Sequence, residues 1–91
     1  MAAVKTIDEF FAVARELIDT WCDDRRLGPL ATFLPAYLDP NGLTDGWHWK
    51  YESLKKLRAF HRDELSDEER ETVNELIRFA ERAVYRNQNL G

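Results

Sequence analysis

The sequence predicts an all-α protein of 91 residues, most simply a small up-down bundle of three long helices and one short kinked helix. Apolar residues recur at helical spacing in three long segments, and no segment alternates over a length that a strand requires. Two capping boxes, at Thr6 and at Ser66, mark where two of these helices begin. We therefore interpret residues 1–91 as a single helical domain, with residues 87–91 as a frayed tail.

Helix 1 is predicted over residues 7–26. Thr6 can accept from the amide of Glu9, and Glu9 can reach back, which satisfies the first amides of the helix. Arg25 and Arg26 suit a helix C-terminus, and Gly28-Pro29 should stop the helix. The apolar stripe of this helix consists of Ile7, Phe10, Phe11, Ala14, Leu17, Ile18, Trp21 and Cys22. On this stripe, Cys22 is expected to be a buried and inert thiol.

Helix 2 is predicted as a short helix over about 30–38. Leu30, Phe33 and Leu34 keep a helical period, but Pro35 removes an interior hydrogen bond and predicts a kink. Whether the helix continues through Pro35 stays open from the sequence. The run Asp-Pro-Asn-Gly over residues 39–42 predicts the turn that follows.

Helix 3 is predicted to begin at a cap formed by Thr44 or Asp45 and to end near Asp63 or Glu64. Helix 4 should begin behind the capping box at Ser66 and run to about Arg86. The residues expected to be buried on these two helices are Trp47, Tyr51, Leu54, Leu57, Leu65, Val73, Leu76, Ile77, Ala80, Ala83 and Val84.

No catalytic or metal-binding motif appears in the chain. His48 and His61, the only histidines, lie roughly 20 Å apart along one predicted helix, so they cannot share a metal. The single cysteine, Cys22, excludes an intramolecular disulfide and favours a reducing compartment. No apolar run approaches the ~20 residues of a membrane helix, and the start lacks the pattern of a secretory signal. We expect a cytoplasmic protein that is not an enzyme and that uses no cofactor, metal or membrane.

Charge is divided unevenly along the sequence. Residues 1–24 carry a net charge of −4 and residues 63–81 a net charge of −6, whereas residues 47–62 carry +4. In an up-down bundle, the end of helix 1 shares a pole with the end of helix 3 and the start of helix 4. Seven carboxylates should meet there, and we call them the acidic pole: Asp19, Asp23, Asp24, Asp63, Glu64, Asp67 and Glu68. Such a surface suits a basic protein partner.

The basic residues of helix 3 have two interpretations. Lys55, Lys56 and Arg58 lie among aromatic residues, a combination that can bind nucleic acid. We favour the alternative that they neutralise carboxylates of helices 1 and 4, because the overall charge of −4 opposes phosphate binding. We therefore do not expect nucleic acid as the partner.

Trp49 and Phe60 lie off the apolar face of helix 3, on one stripe with Ser53 and Lys56. They either pack beneath helix 2 or form an exposed aromatic anchor for a partner. Burial is the favoured expectation, since large apolar groups are usually inside, and both residues stay on the list of candidate partner-binding residues.

In size, acidity, helical content and lack of a catalytic motif, the chain resembles the small acidic immunity proteins that bacteria encode beside secreted or contact-delivered toxins. That resemblance implies a protein that binds a cognate toxin domain, often a basic nuclease, and blocks its active site. Two alternatives remain, namely a regulatory or adaptor module that binds an endogenous protein and a nucleic-acid binder that uses helix 3. The sequence leaves the partner and the oligomeric state undetermined.

Overall fold

The computed structural model describes residues 4–38 and 44–90, with side chains described for 4–38 and 46–85. These residues form four α-helices and no strand, so the predicted all-α class is confirmed. The elements are α1 (Ile7–Asp23), α2 (Leu27–Tyr37), α3 (Thr44–Phe60), a 3-10 turn (Arg62–Glu64) and α4 (Asp67–Leu90). The turn predicted at 39–42 lies outside the described residues. Within residues 4–38 and 44–90, no helix is long and apolar enough to cross a membrane.

Helix α1 ends three residues earlier than predicted, in a left-handed turn. Arg25 has a φ of 56°, the amide of Arg26 donates to the carbonyl of Trp21 at 2.8 Å, and the amide of Arg25 donates to Cys22 at 3.2 Å. These are the two bonds of a Schellman ending. Since glycine is the usual residue at the left-handed position and this one is arginine, the residue type does not signal the end of the helix. The turn leaves Arg25 and Arg26 outside the helix.

Helix α2 begins at Leu27, before the predicted start, and is continuous through Pro35. Gly28 and Pro29 do not separate the helices but lie within the first turn of α2. Backbone amides in the first turn of a helix have no intrahelical acceptor, so Pro29, which lacks an amide hydrogen, is tolerated in this position. A kink at Pro35 stays a prediction.

The predicted capping box at Ser66 is confirmed, and at Thr6 the N-cap bond is present but Glu9 reaches back to the amide of Lys5 instead of that of Thr6. The amide of Glu9 donates to Thr6 Oγ1 at 3.1 Å, and Glu9 accepts from the amide of Lys5 at 3.3 Å. The amide of Glu69 donates to Ser66 Oγ at 3.2 Å, and that of Ser66 donates to Glu69 Oε1 at 2.8 Å. Helix α3 ends at Phe60, earlier than predicted, because the 3-10 turn replaces its last residues. Helix α4 extends to Leu90, past the predicted end, and fraying of 87–91 in solution stays a prediction.

The core lies where the apolar stripes of α1, α3 and α4 face one another. Phe10, Leu54, Leu57 and Leu76 are fully buried, as predicted. Two expectations for α1 are wrong, since Ile7 and Cys22 are exposed. Both lie near the ends of the helix.

Ring contacts join the start of α1 to the start of α3 and to the C-terminal half of α4. The ring of Phe10 lies 5.1 Å from that of Trp47, and Trp47 lies 5.6 Å from Phe79. At the other end of the bundle, the indole of Trp21 reaches Glu69 near the start of α4. Helices α1 and α4 therefore run in opposite directions, and the end of α1 lies beside the start of α4.

Candidate protein-binding site

Glu69 is the polar centre of the pole where α1 ends and α4 begins. It is only 8% exposed, and its Oε2 accepts from the indole Nε1 of Trp21 at 3.1 Å. Its Oε1 accepts from Arg26 Nη1 at 2.6 Å and from the amide of Ser66. Burial alone would raise the pKa of Glu69, but the hydrogen bonds from Arg26 and Ser66 outweigh it and lower that pKa below its usual value. Glu69 therefore stays ionised inside the pole.

Arg26 ties three segments of the chain together. Besides Glu69, its guanidinium donates to Asp24 Oδ2 at 2.6 Å and to the backbone carbonyl of Glu64 at 2.7 Å. The hydrogen bond to Glu69 is the main cause that raises the pKa of Arg26, so the side chain remains charged. The end of α1, the 3-10 turn and the start of α4 therefore meet around one guanidinium.

The seven carboxylates of the acidic pole are all exposed, but they are more neutralised than the sequence predicted. Four of them lie within 4.0 Å of a basic group, in the pairs Asp19–Arg15, Asp24–Arg26, Glu64–His61 and Asp67–Arg70. Asp23, Asp63 and Glu68 form no ion pair within the described part of the chain. Exposed pairs contribute little and are screened by salt, so the pole keeps a negative surface.

Glu64 differs from the other pole residues because it takes part in packing. Its Oε2 lies 2.8 Å from His61 Nδ1, and His61 Nε2 lies 3.0 Å from Thr32 Oγ1 on α2. Gly28 lies so close to these two side chains that a Cβ at this position would be 2.8 Å from Glu64 Oε2 and 2.9 Å from His61 Nδ1. The carboxylate of Glu64 therefore helps to hold α2 against the 3-10 turn, and a charge reversal there would act on packing as well as on the surface.

The favoured expectation that Trp49 and Phe60 pack beneath α2 is also wrong. Trp49 is 46% exposed and Phe60 is 78% exposed. Ser53, which lies between them on the same stripe, is buried, so the stripe is covered at its centre but not at the two aromatic side chains.

The two exposed aromatic residues do not form one site. Eleven residues of helix separate them, roughly 16 Å along α3. Phe60 directly precedes His61, which touches Gly28, and Leu27, next to that glycine, is 70% exposed. Phe60 and Leu27 thus lie at the acidic pole, whereas Trp49 lies toward the opposite end of the bundle.

The basic residues of α3 are partly occupied within the protein. Lys50 is only 3% exposed, and its ammonium lies 5.8 Å from the ring centre of Phe11. Lys55 pairs with Glu52 of its own helix, and Arg58 donates to Asn74 of α4. Among the described residues, Lys55 and Arg58 form no ion pair with a carboxylate of α1 or α4, so the expectation that they neutralise those carboxylates is wrong for these two residues.

Arg26, Glu69 and Leu27 are functional candidates that sequence reasoning missed. The capping box at Ser66 identified Glu69 as a capping residue, but it gave no sign that Trp21 and Arg26 converge on the same carboxylate. Within the described residues, no group of three or more histidine, cysteine or acidic side chains is arranged to hold a metal ion. No protein-family model, curated protein or solved structure matches the chain.

Proposed function

We propose that this protein is a non-catalytic protein-binding module, and specifically a bacterial immunity protein that acts in the cytoplasm. Its partner would be a cognate toxin domain, basic and of nuclease type, which it binds and neutralises. The observation that carries the proposal is the exposure of Phe60 and Leu27 among the exposed carboxylates of the acidic pole.

Apolar side chains surrounded by charge are the features that a protein partner can use. A large side chain that enters a pocket of the partner supplies most of the binding energy, while the charged rim steers the encounter and selects the partner. Phe60 is suited to the first role because most of its surface is in water. Asp23 and Asp63 are suited to the second role, since both are exposed and form no ion pair among the described residues.

The proposal includes the finer architecture that the sequence predicted. An up-down order of three long helices and one short helix kinked at Pro35 would bring the ends of α1 and α3 to the start of α4. Arg26 supports this arrangement, because it contacts Asp24, Glu64 and Glu69 at once. The acidic pole would then act as one surface rather than as three separate patches.

Identification of the partner tests this function. The protein is immobilised, proteins from cells that encode it are captured, and the retained proteins are identified by mass spectrometry. We expect a basic toxin domain whose activity falls when the immunity protein is added in equimolar amount. Capture of an endogenous regulatory or metabolic protein would instead establish the adaptor function and refute immunity.

Matched variants show whether the acidic pole is the surface that binds. Phe60→Ala and Asp63→Lys should weaken binding to the captured protein at least about tenfold, a loss common for residues central to an interface. The controls are Tyr85→Ala and Asp8→Lys, which change an exposed aromatic residue and an exposed acid far from the pole. Equal effects in both sets would show that the partner uses another surface.

A further inference from the structure

A cavity of about 570 Å³ lies at the end of the bundle opposite the acidic pole. It opens between the start of α1, the start of α3 and the C-terminal half of α4. Trp47, Phe79 and Ala83 supply apolar walls, and Lys5 and Arg82 supply two cations. Its volume is within the range of small-molecule sites, which are usually mostly apolar with a few polar groups that fix orientation.

The charge of this cavity is opposite to that of the protein as a whole. The chain carries a net charge of −4, yet no carboxylate lines the cavity among the described residues. Lys5 and Arg82 form no ion pair in that same part of the chain, although Glu9 lies close enough to accept from the backbone amide of Lys5. Thr6 and Ile7 add the positive end of the α1 dipole.

Arg82 lines the cavity and has guanidinium donors to spare. One of its guanidinium nitrogens, Nη2, lies 3.4 Å from the backbone carbonyl of Val4, which leaves its other donors available. The ring of Trp47 is almost fully buried and lies 5.6 Å from that of Phe79, whereas Phe79 and Ala83 are half-buried and line the cavity. A flat apolar group can therefore lie against Phe79 and Ala83 while an anionic group contacts the guanidinium.

We propose that this cavity binds a small organic anion with a flat apolar body, of the aromatic carboxylate class. The carboxylate would accept from Arg82 and be attracted by Lys5, and the ring system would cover Phe79, Ala83 and the small exposed part of Trp47. Charge-assisted hydrogen bonds to a guanidinium are among the stronger contacts that a carboxylate can make. The site does not depend on the acidic pole or on a protein partner.

The test uses 2-naphthoate as the probe and isothermal titration calorimetry of the full chain. The cation 2-naphthylmethylammonium has the same ring system and the opposite charge. We expect saturable binding of 2-naphthoate and none of the cation. Absence of saturable 2-naphthoate binding, or equal binding of the two probes, would overturn the proposal.

Three variants locate the site. Arg82→Gln should weaken 2-naphthoate binding about tenfold, the effect of losing one charge-assisted contact. Ala83→Leu should also weaken it, because the larger side chain fills the cavity without a change of charge. Lys56→Gln removes an exposed cation elsewhere and should leave the affinity within about twofold. Circular dichroism confirms folding, and equal affinities of Arg82→Gln and Lys56→Gln would refute this location.

Discussion

Replacement of Glu69 by alanine is the sharpest perturbation of the pole that joins α1 to α4. The carboxylate accepts hydrogen bonds from Trp21, Arg26 and Ser66, and the indole of Trp21 belongs to a fully buried residue. Glu69→Ala removes the acceptor of all three donors at once. The indole then has no partner in the core, and the Arg26 guanidinium loses its main carboxylate.

The expected cost is about 3 kcal/mol of unfolding free energy. Removing one partner of a buried ion pair costs about 3–5 kcal/mol, and we take the lower end because a quarter of the Arg26 side chain is exposed to water. An unpaired buried indole N–H contributes about 1–3 kcal/mol within that total. A domain of 91 residues has a stability of about 5–14 kcal/mol, so the variant should fold but be clearly weakened.

Urea unfolding followed by circular dichroism measures this loss. Glu68→Ala is the matched control, since Glu68 is the neighbouring acid but is exposed, and its change should stay within about 0.5 kcal/mol. Arg26→Met combined with Glu69→Ala should cost less than the sum of the single changes, because the double variant leaves no unpaired charge. If Glu69→Ala unfolds at the same urea concentration as Glu68→Ala, Glu69 does not hold the pole together.

Four further outcomes are expected. Arg25→Gly should raise the melting temperature by about 4–8 °C, since glycine relieves about 1 kcal/mol at the left-handed position, whereas Arg25→Ala should give no gain. Leu76→Ala, and by the same reasoning Leu17→Ala, should cost about 2–5 kcal/mol in urea unfolding, and melting like the parent would refute the assigned core. The pKa of Glu69 is lowered in the folded state, so its contribution to the free energy of unfolding is present above the unfolded pKa and is lost as pH falls through the folded pKa. The parent should therefore lose more stability than Glu69→Gln when the pH is lowered from ~7 to ~3. Added zinc or a chelator should leave the melting temperature unchanged, and a shift of several degrees would reveal a metal site.

The fold class and most of the core followed from local pattern. The stripes containing Phe10, Leu57 and Leu76 were predictable because helix–helix packing requires an apolar face at a period of 3.6 residues. The capping boxes at Thr6 and Ser66 were predictable because they depend on residues three positions apart. These features are encoded within a few turns of the chain.

The errors have two causes, namely a backbone conformation that the residue type does not signal and contacts between segments distant in the sequence. The end of α1 depends on a left-handed arginine, Arg25, for which the sequence contains no glycine as a signal. The exposure of Phe60 depends on how α2 packs on α3. That packing was not predictable, because α2 begins at Leu27 and not after the break that was expected at Gly28 and Pro29. The Trp21–Glu69 hydrogen bond joins residues 48 positions apart. Neither composition nor periodicity contains such information.

The most direct test of the proposed acidic binding surface is the association rate of the captured partner, measured by stopped-flow fluorescence. For the parent, the association rate should fall steeply between about 20 mM and 500 mM salt, because salt screens the electrostatic attraction between the acidic pole and a basic partner. Asp23→Lys with Asp63→Lys should lower the rate at low salt, with circular dichroism unchanged, and Lys55→Glu with Lys56→Glu should change it much less. An association rate that does not change with salt would contradict steering by the acidic pole. A rate that depends on the lysine pair and not on the aspartate pair would contradict binding at the acidic pole and place the functional face on α3.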